Sequence, residues 1–581
     1  MFKIFKYFKW YDWIGAWAVL GLTILEVRFD LKMPEYMVKI LSSITIGVKE
    51  VWKEGLILLG YVLASIACSV IISFIASRIS AGLSKRLRKT VFEKVGTFGM
   101  AEINMFSTAS LITRSTNDIS QVQQVTTMLL KLFLYAPIMA ISALIKITNL
   151  NTKLTWTTFL FIAIMFVFII IMMALMIKKF GLMQKQTDAL NNVARENLTG
   201  IRVVRANNAE GLQESKFNNI NNQLTNTSLF TNRVSAFIFP GMQLIMSGLT
   251  IAIYWIGAAL MKDPANMLGY LQVNEFSQYA TQVLMSFLFV GMLFVMLPRG
   301  NVSAKRILEV LNTTPSIKNG TLTECSSGVK GKVEFKNVCF KYPDANEYVL
   351  KNISFVANQG ETVAFIGSTG SGKSTLINLV PRFYDCTEGE VLIDDENIKN
   401  YKFSVLNNKM GYIPQKSILF SGTVRENITY GKEDATDEQI NKALEVSQAK
   451  DFVEKLKGGL EFKIAQGGTN LSGGQKQRLS IARAIVKDPE VLIFDDSFSA
   501  LDYKTDRCLR MALKENFANT TKLIVAQRIG TILDADQIIV LDNGEVVGKG
   551  THKQLMKTCE VYKQIALSQL SKEELENGSK Q

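Results

Sequence analysis

Leu154–Ile177 constrains this chain more than any other stretch, because it runs through apolar and hydroxyl residues without one charge. A helix needs about 20 such residues to cross the hydrocarbon core of a bilayer. Five further apolar segments accompany it: Trp13–Met37, Gly55–Ser77, Val125–Ile145, Val234–Met261 and Phe276–Leu297. The third holds Lys131, and the first holds Glu26, Arg28, Asp30 and Lys32. Six spans are expected, and an even number returns the chain to its starting side. Two connections are long and basic, Arg78–Gln124 and Lys178–Arg233, whereas those near 38–54, 146–153 and 262–275 are short. Basic loops stay in the cytoplasm. A multi-pass protein of the plasma membrane is therefore expected, with both termini and the second half cytoplasmic and the bilayer as its first partner.

Apolar residues make up 48% of the chain and the formal net charge is +14. A nucleic-acid binder also carries such an excess. Here the basic residues are spread out, and many flank the apolar runs, as in Lys85–Lys89 and Lys178-Lys179. That pattern serves membrane topology, and no nucleic-acid partner is expected. The cysteines Cys68, Cys325, Cys339, Cys386, Cys508 and Cys559 form no Cys-x-x-Cys, and His552 is the sole histidine, which argues against a zinc site. The basic start (Lys3, Lys6, Lys9) is followed by no small-residue cleavage site, so no signal peptide is expected.

The apolar half is expected to span residues 1–311. Residues 312–330 are polar and aperiodic, with Pro315, Gly320 and Gly328, and read as a linker. A soluble α/β domain is expected over 331–567, and a polar tail over 568–581.

Within that domain Gly367-Ser368-Thr369-Gly370-Ser371-Gly372-Lys373-Ser374-Thr375 follows the apolar strand Val363–Ile366 and opens a helix. This is the context of a phosphate-binding loop: glycines let backbone amides wrap the phosphates, and Lys373 reaches the β/γ-phosphates. ATP and Mg²⁺ are the expected ligands, with Ser374 on the metal. Val491–Phe494 reads as a buried strand that delivers Asp495 to its carboxyl end, where open α/β sheets bind ligands. Asp495 is thereby a second metal candidate.

Leu471-Ser472-Gly473-Gly474-Gln475 then carries a resemblance. With the phosphate loop and the Asp495 strand it resembles the ATP-binding cassette superfamily, and six spans followed by one cassette resemble an exporter half-transporter. The resemblance covers essentially the whole chain. It implies a six-span helical domain fused to an α/β P-loop cassette that works as a transport ATPase. Tyr342 stands where the family stacks an aromatic on adenine. Gln415 lies in the segment that contacts Mg²⁺ and the membrane half. Asp502, in Ser499–Asp502, matches the loop that crosses between cassettes. The resemblance also implies a second half-transporter. Two cassettes pair head to tail, so Ser472, Gly473, Gly474 and Gln475 complete the partner's site.

Two positions depart from the family. Asp496 replaces the usual glutamate that acts as base toward water, and Gln527 replaces the usual histidine at the γ-phosphate. A carboxylate retracted by about one ångström can cost on the order of 10²-fold in rate, and glutamine neither carries charge nor shuttles a proton. The pair resembles the degenerate-site subunit of heterodimeric bacterial multidrug exporters. It implies weak turnover at this chain's own site and export of small amphipathic compounds. A lipid or peptide exporter of the same architecture, and a membrane protein that uses ATP binding as a gate, are the alternatives.

In the membrane half, Glu26 and Asp30 share a helix face and lie far along the first span. They read equally as a substrate-path or gating pair and as charges outside the lipid. Lys131 and Glu275 raise the same question. Ser107–Asp118 and Arg195–Ala206 resemble the family's two intracellular loops, with short helices near 106–110 and 206–211 passing on cassette motion.

Overall fold

The computed structural model describes residues 2–261, 269–323 and 328–569. The expected tail beyond residue 569, Cys325 and part of the short loop at 262–275 lie outside them. The chain divides into two compact units, Met1–Val95 with Ala109–Thr313, and Gly96–Thr108 with Thr314–Gln581.

The first unit is helical. After a 3₁₀ turn at Phe2–Tyr7 come α1 (Trp10–Ser43) and α2 (Val48–Val95). The chain then passes through α3 (Met100–Phe106), which belongs to the other unit, and returns with α4 (Thr108–Ser115) and α5 (Asn117–Met128). A π-helical turn, Leu129–Phe133, joins α5 to α6 (Leu134–Leu150). Then follow α7 (Thr152–Thr199), α8 (Ile201–Ala206), α9 (Glu210–Met261) and α10 (Tyr270–Asn312).

Among the described residues five helical stretches are long and apolar enough to cross a bilayer: α2, Thr108–Leu150, α7, α9 and α10. The other expected span, α1, has the length, and Glu26, Arg28, Asp30, Lys32 and Glu35 interrupt its apolar run. The structure offsets part of that cost. Ser65 Oγ of α2 donates to Asp30 Oδ1 at 2.6 Å, and Tyr135 Oη of α6 donates to Asp30 Oδ2 at 2.8 Å. Half-buried Asp30 thus keeps hydrogen-bond donors in place of part of its water. Lys32 Nζ bonds Glu35 at 2.8 Å.

One core joins these helices, with Val27 and Leu31 of α1, Met139 and Ile147 of α6, Leu154 and Met165 of α7, Leu249 and Ile253 of α9, and Phe276, Tyr279 and Val283 of α10. Tyr279 Oη donates to Leu31 O at 2.8 Å. The outer flank of α7 stays exposed and apolar at Leu160, Ile164, Ile170 and Ile171, as a lipid-facing helix requires. Toward the other end polar groups tie α10 to α4 and α5: Arg114 bonds Glu309 at 2.9 Å, while Ser303 at 2.9 Å and Arg306 at 3.3 Å hold Asp118.

The second unit is an α/β domain. Its main sheet runs in the order Glu545–Gly550, Gln537–Asp542, Thr362–Gly367, Thr521–Val525, Val491–Asp495 and Met410–Ile413. The first pair is antiparallel and the rest parallel. Strands covered on both faces read as near-continuous apolar runs; Val491–Asp495 and Thr521–Val525 are buried at every position, and the buried Lys522 donates to Phe517 O and Thr520 O. A smaller antiparallel sheet holds Leu350–Ala357, Val333–Phe340, Glu388–Ile393 and Glu396–Asn397.

Gly96–Thr108 packs with this domain. Asn104 Nδ2 donates to Tyr384 Oη at 3.1 Å, and Ser316 N donates to Glu102 Oε1 at 2.9 Å. The short helix expected near 106–110 is broken at Ser107, whose φ is 60°, so α3 and α4 are separate elements. The helix expected near 206–211 ends instead at Ala206. The stretch expected as a linker is anchored. Thr321 N and Leu322 N both donate to Asn400 O, at 2.9 and 2.8 Å.

Candidate functional site: a nucleotide cassette

The parallel strands bring the candidate residues to one sheet end. Lys373 Nζ donates to Gly367 O at 2.9 Å and to Ser368 O at 2.7 Å, so the lysine lies within the curl of its own loop. The curl needs Gly372, whose φ is 93° and where a Cβ would stand 2.7 Å from Leu350. Ser368, Thr369 and Gly370 form the exposed rim, while Ser371 and Thr375 are buried. Tyr342 Oη lies 2.9 Å from Thr375 Oγ1, and edge contacts from Phe340 and Tyr384 fix its ring.

Ser374 Oγ donates to Asp495 Oδ1 at 2.7 Å. Asp496 follows with a left-handed backbone (φ 47°), and both aspartates are only 6% exposed. Asp496 Oδ2 accepts from Gln527 Nε2 at 2.7 Å and from Gln415 Nε2 at 3.1 Å. The two departures noted in the sequence therefore touch each other. Burial pushes both carboxyls above the ordinary aspartate range, against the hydrogen bonds of Ser374 on Asp495 and Gln415 on Asp496. Burial lowers the Lys373 ammonium, opposed by the two aspartates.

Ser472 opens the signature helix, Gly473–Ile485. Its Oγ accepts from Gln475 N at 3.3 Å, while Gln475 Oε1 accepts from Ser472 N at 2.9 Å. Such a reciprocal box fixes the helix start. Ser472 and Gly473 face solvent, and a Cβ on Gly473 would meet nothing within 4 Å. Asp502 caps helix Tyr503–Asn516 through Thr505 N at 3.0 Å, and this bond holds its carboxyl below the usual range. Glu26 and Asp30 belong to the helical unit and not to this site.

Reading the sequence missed one residue here. Gln569 grips the backbone on both sides of Arg528: its Nε2 donates to Gln527 O at 2.7 Å and its Oε1 accepts from Ile529 N at 2.8 Å. No local motif signals a contact across 40 residues. Ser499, noted only as part of a loop, donates to Asp496 O at 2.8 Å.

A profile described as the ABC transporter family matches residues 350–499, and one described as the ABC transporter transmembrane region matches residues 22–287. This chain belongs to the ABC transporter family. It is 38% identical, over 522 residues, to an uncharacterised ABC transporter ATP-binding protein of Mycobacterium tuberculosis, covering 89% of this chain and 88% of the relative. An uncharacterised Bacillus subtilis relative, YfiB, is 34% identical over 95% of this chain and 96% of its own. The ATP-dependent lipid A-core flippase of Pseudomonas aeruginosa is 31% identical over 83% of this chain and 79% of its own. The ATP-bound structure of a bacterial Atm1-family ABC exporter superposes with a TM-score of 0.79, at 22% identity, over 97% of this chain and 98% of that one. The protein is thus an ATP-driven ABC exporter half, a multi-pass membrane domain fused to an ATP-binding cassette, and a half-transporter functions with a second subunit.

Proposed function

We propose that this chain is the slow-site subunit of a heterodimeric exporter. Its own loop binds ATP and hydrolyses it poorly, and Ser472, Gly473, Gly474 and Gln475 complete the productive site on the second subunit. The observation that carries this reading is the Asp496 cluster. One carboxylate oxygen accepts two amide donors, Gln527 and Gln415, where a base would need to face water. The membrane half is taken as residues 1–311, the linker as 312–330 and the cassette as 331–567, with the cassette on the cytoplasmic side of the plasma membrane.

The residues present fit Mg²⁺. Ser374 Oγ, the Asp495 carboxylate and the Gln415 amide oxygen are hard oxygen donors, which Mg²⁺ prefers. Among the described residues no group of three His, Cys, Asp or Glu forms a protein cage. That suits an ion held partly by phosphates. When bound, the ion neutralises charge on the β- and γ-phosphates. Lys373 binds those phosphates, Tyr342 orients the base, Gln527 offers an uncharged γ-phosphate contact, and Asp502 crosses between the cassettes.

The cargo is taken as a small amphipathic compound, with Glu26 and Asp30 on its path. A lipid cargo is the second reading, supported by the likeness to the flippase. The test is steady-state ATPase of the purified chain alone and of the assembled transporter. Slow turnover alone and brisk turnover in the complex is expected; brisk, cooperative turnover by this chain alone would refute the proposal.

A further inference from the structure

The described chain begins with a triplet repeat, Phe2-Lys3-Ile4, Phe5-Lys6-Tyr7, Phe8-Lys9. Phe2–Tyr7 folds as a 3₁₀ helix. That helix turns once every 3.0 residues, so a period of three sorts its side chains into separate rows. An α-helix would smear the same repeat around its surface. Within the turn, Ile4 is fully buried, Phe5 lines a cavity, and Lys3 and Lys6 are exposed; just beyond it, Phe8 lines the same cavity and Lys9 is exposed.

The cavity holds about 760 Å³. Trp13, Trp17 and Leu20 of α1 continue its first wall, and no charged side chain lines it among the described residues. The facing wall includes Leu129, Leu130 and Phe133, all on the π-helical turn, with Leu297 and Pro298 of α10. The wider π turn presents these three residues together, while Lys131 of the same turn lies in the field of Glu26. π turns inside α-helices frequently mark functional sites. The volume falls within the ~300–1,000 Å³ of small-molecule pockets.

We infer that this cavity is a binding site for an anionic phospholipid, with an acyl chain between the α1 aromatics and the π turn and the headgroup on the Lys3, Lys6 and Lys9 row. An apolar cavity stays dry and takes hydrocarbon. A basic and aromatic helix beside it has the pattern of a segment lying in the membrane interface, where anionic headgroups reside. The inference rests on the membrane domain and is independent of the slow-site reading.

The test uses the full-length chain in nanodiscs of mixed phosphatidylglycerol and phosphatidylcholine, with photoreactive acyl-chain analogues of each lipid. The expected result is several-fold stronger labelling of peptides covering residues 13–20 and 129–134 by the phosphatidylglycerol probe. Lys3→Gln, Lys6→Gln and Lys9→Gln together should erase that preference and leave residual labelling. Ala16→Trp, which fills the cavity, should reduce labelling by both probes while ATP binding is retained. Equal labelling of the unaltered chain by the two probes, or a preference that survives the triple change, overturns the inference. If Ala16→Trp does not fold, a photoreactive benzoylphenylalanine in place of Leu130 decides instead. Cross-linking to lipid supports the site, and cross-linking to a second polypeptide overturns it.

Discussion

At the scale of single residues, the slow-site proposal rests on Asp496 and Gln527. Each is a small change of side chain, and each was legible in the sequence because the neighbouring motifs set its position. That the two bond each other at 2.7 Å was not legible, since they are 31 residues apart, just past the ends of adjacent parallel strands. A positioned general base contributes about 10²–10⁴-fold. If this is the slow site, most of that factor is already missing, and Asp496→Gln should lower ATPase of the assembled transporter only mildly. Asp496→Glu with Gln527→His should raise turnover at this site, read as single-turnover ATP cleavage. A deep loss with Asp496→Gln would show that Asp496 is a working base.

At the scale of elements, the last described helix, Glu560–Gln569, holds the loop that carries Gln527. Each hydrogen bond of such a clasp is worth about 0.5–1.5 kcal/mol. Gln569→Ala should weaken ATP retention at this chain's own site by up to about tenfold, measured by nucleotide dissociation. Gln569→Glu keeps the acceptor for Ile529 N and loses the donor, so it should fall between the two. The α3 segment makes a different prediction. Glu102 is held below its ordinary value of 4.5: burial opposes this, and hydrogen bonds from Ser316 and the Gly99 backbone outweigh it. A carboxylate with a depressed folded value stabilises above the unfolded value and loses that contribution as pH falls through the folded one. The melting temperature of the intact chain should then exceed that of Glu102→Gln at about pH 6, and the gap should close as pH drops below about 4.5. A gap unchanged with pH would mean that Glu102 acts through packing alone.

At the scale of the whole molecule, the proposal has the helix Gly473–Ile485 of this chain complete the site of a second subunit. Lys373→Ala should abolish nucleotide binding at this chain's own loop, read by photolabelling with an ATP analogue. Ser472→Ala or Gly474→Asp should leave that labelling intact and cut hydrolysis in the assembled transporter; untouched hydrolysis would defeat the head-to-tail arrangement. The sequence by itself determined the architecture. Apolar runs as long as Leu154–Ile177 demand a bilayer, and the loop, strand and signature occur in an order that one fold uses. It also put forward the candidate nucleotide-site residues, because the loop, strand and helix start that carry them are local patterns of adjacent residues. Only the tertiary structure decided how α1 carries its charges, since Ser65 and Tyr135 come from other helices. It likewise decided that Gly96–Thr108 packs with the cassette, that Gln569 reaches Gln527, and that Phe5 and Phe8 share a cavity with the π turn. Each of these is a contact between segments far apart in the chain, set by packing and hydrogen-bond satisfaction that no local pattern encodes.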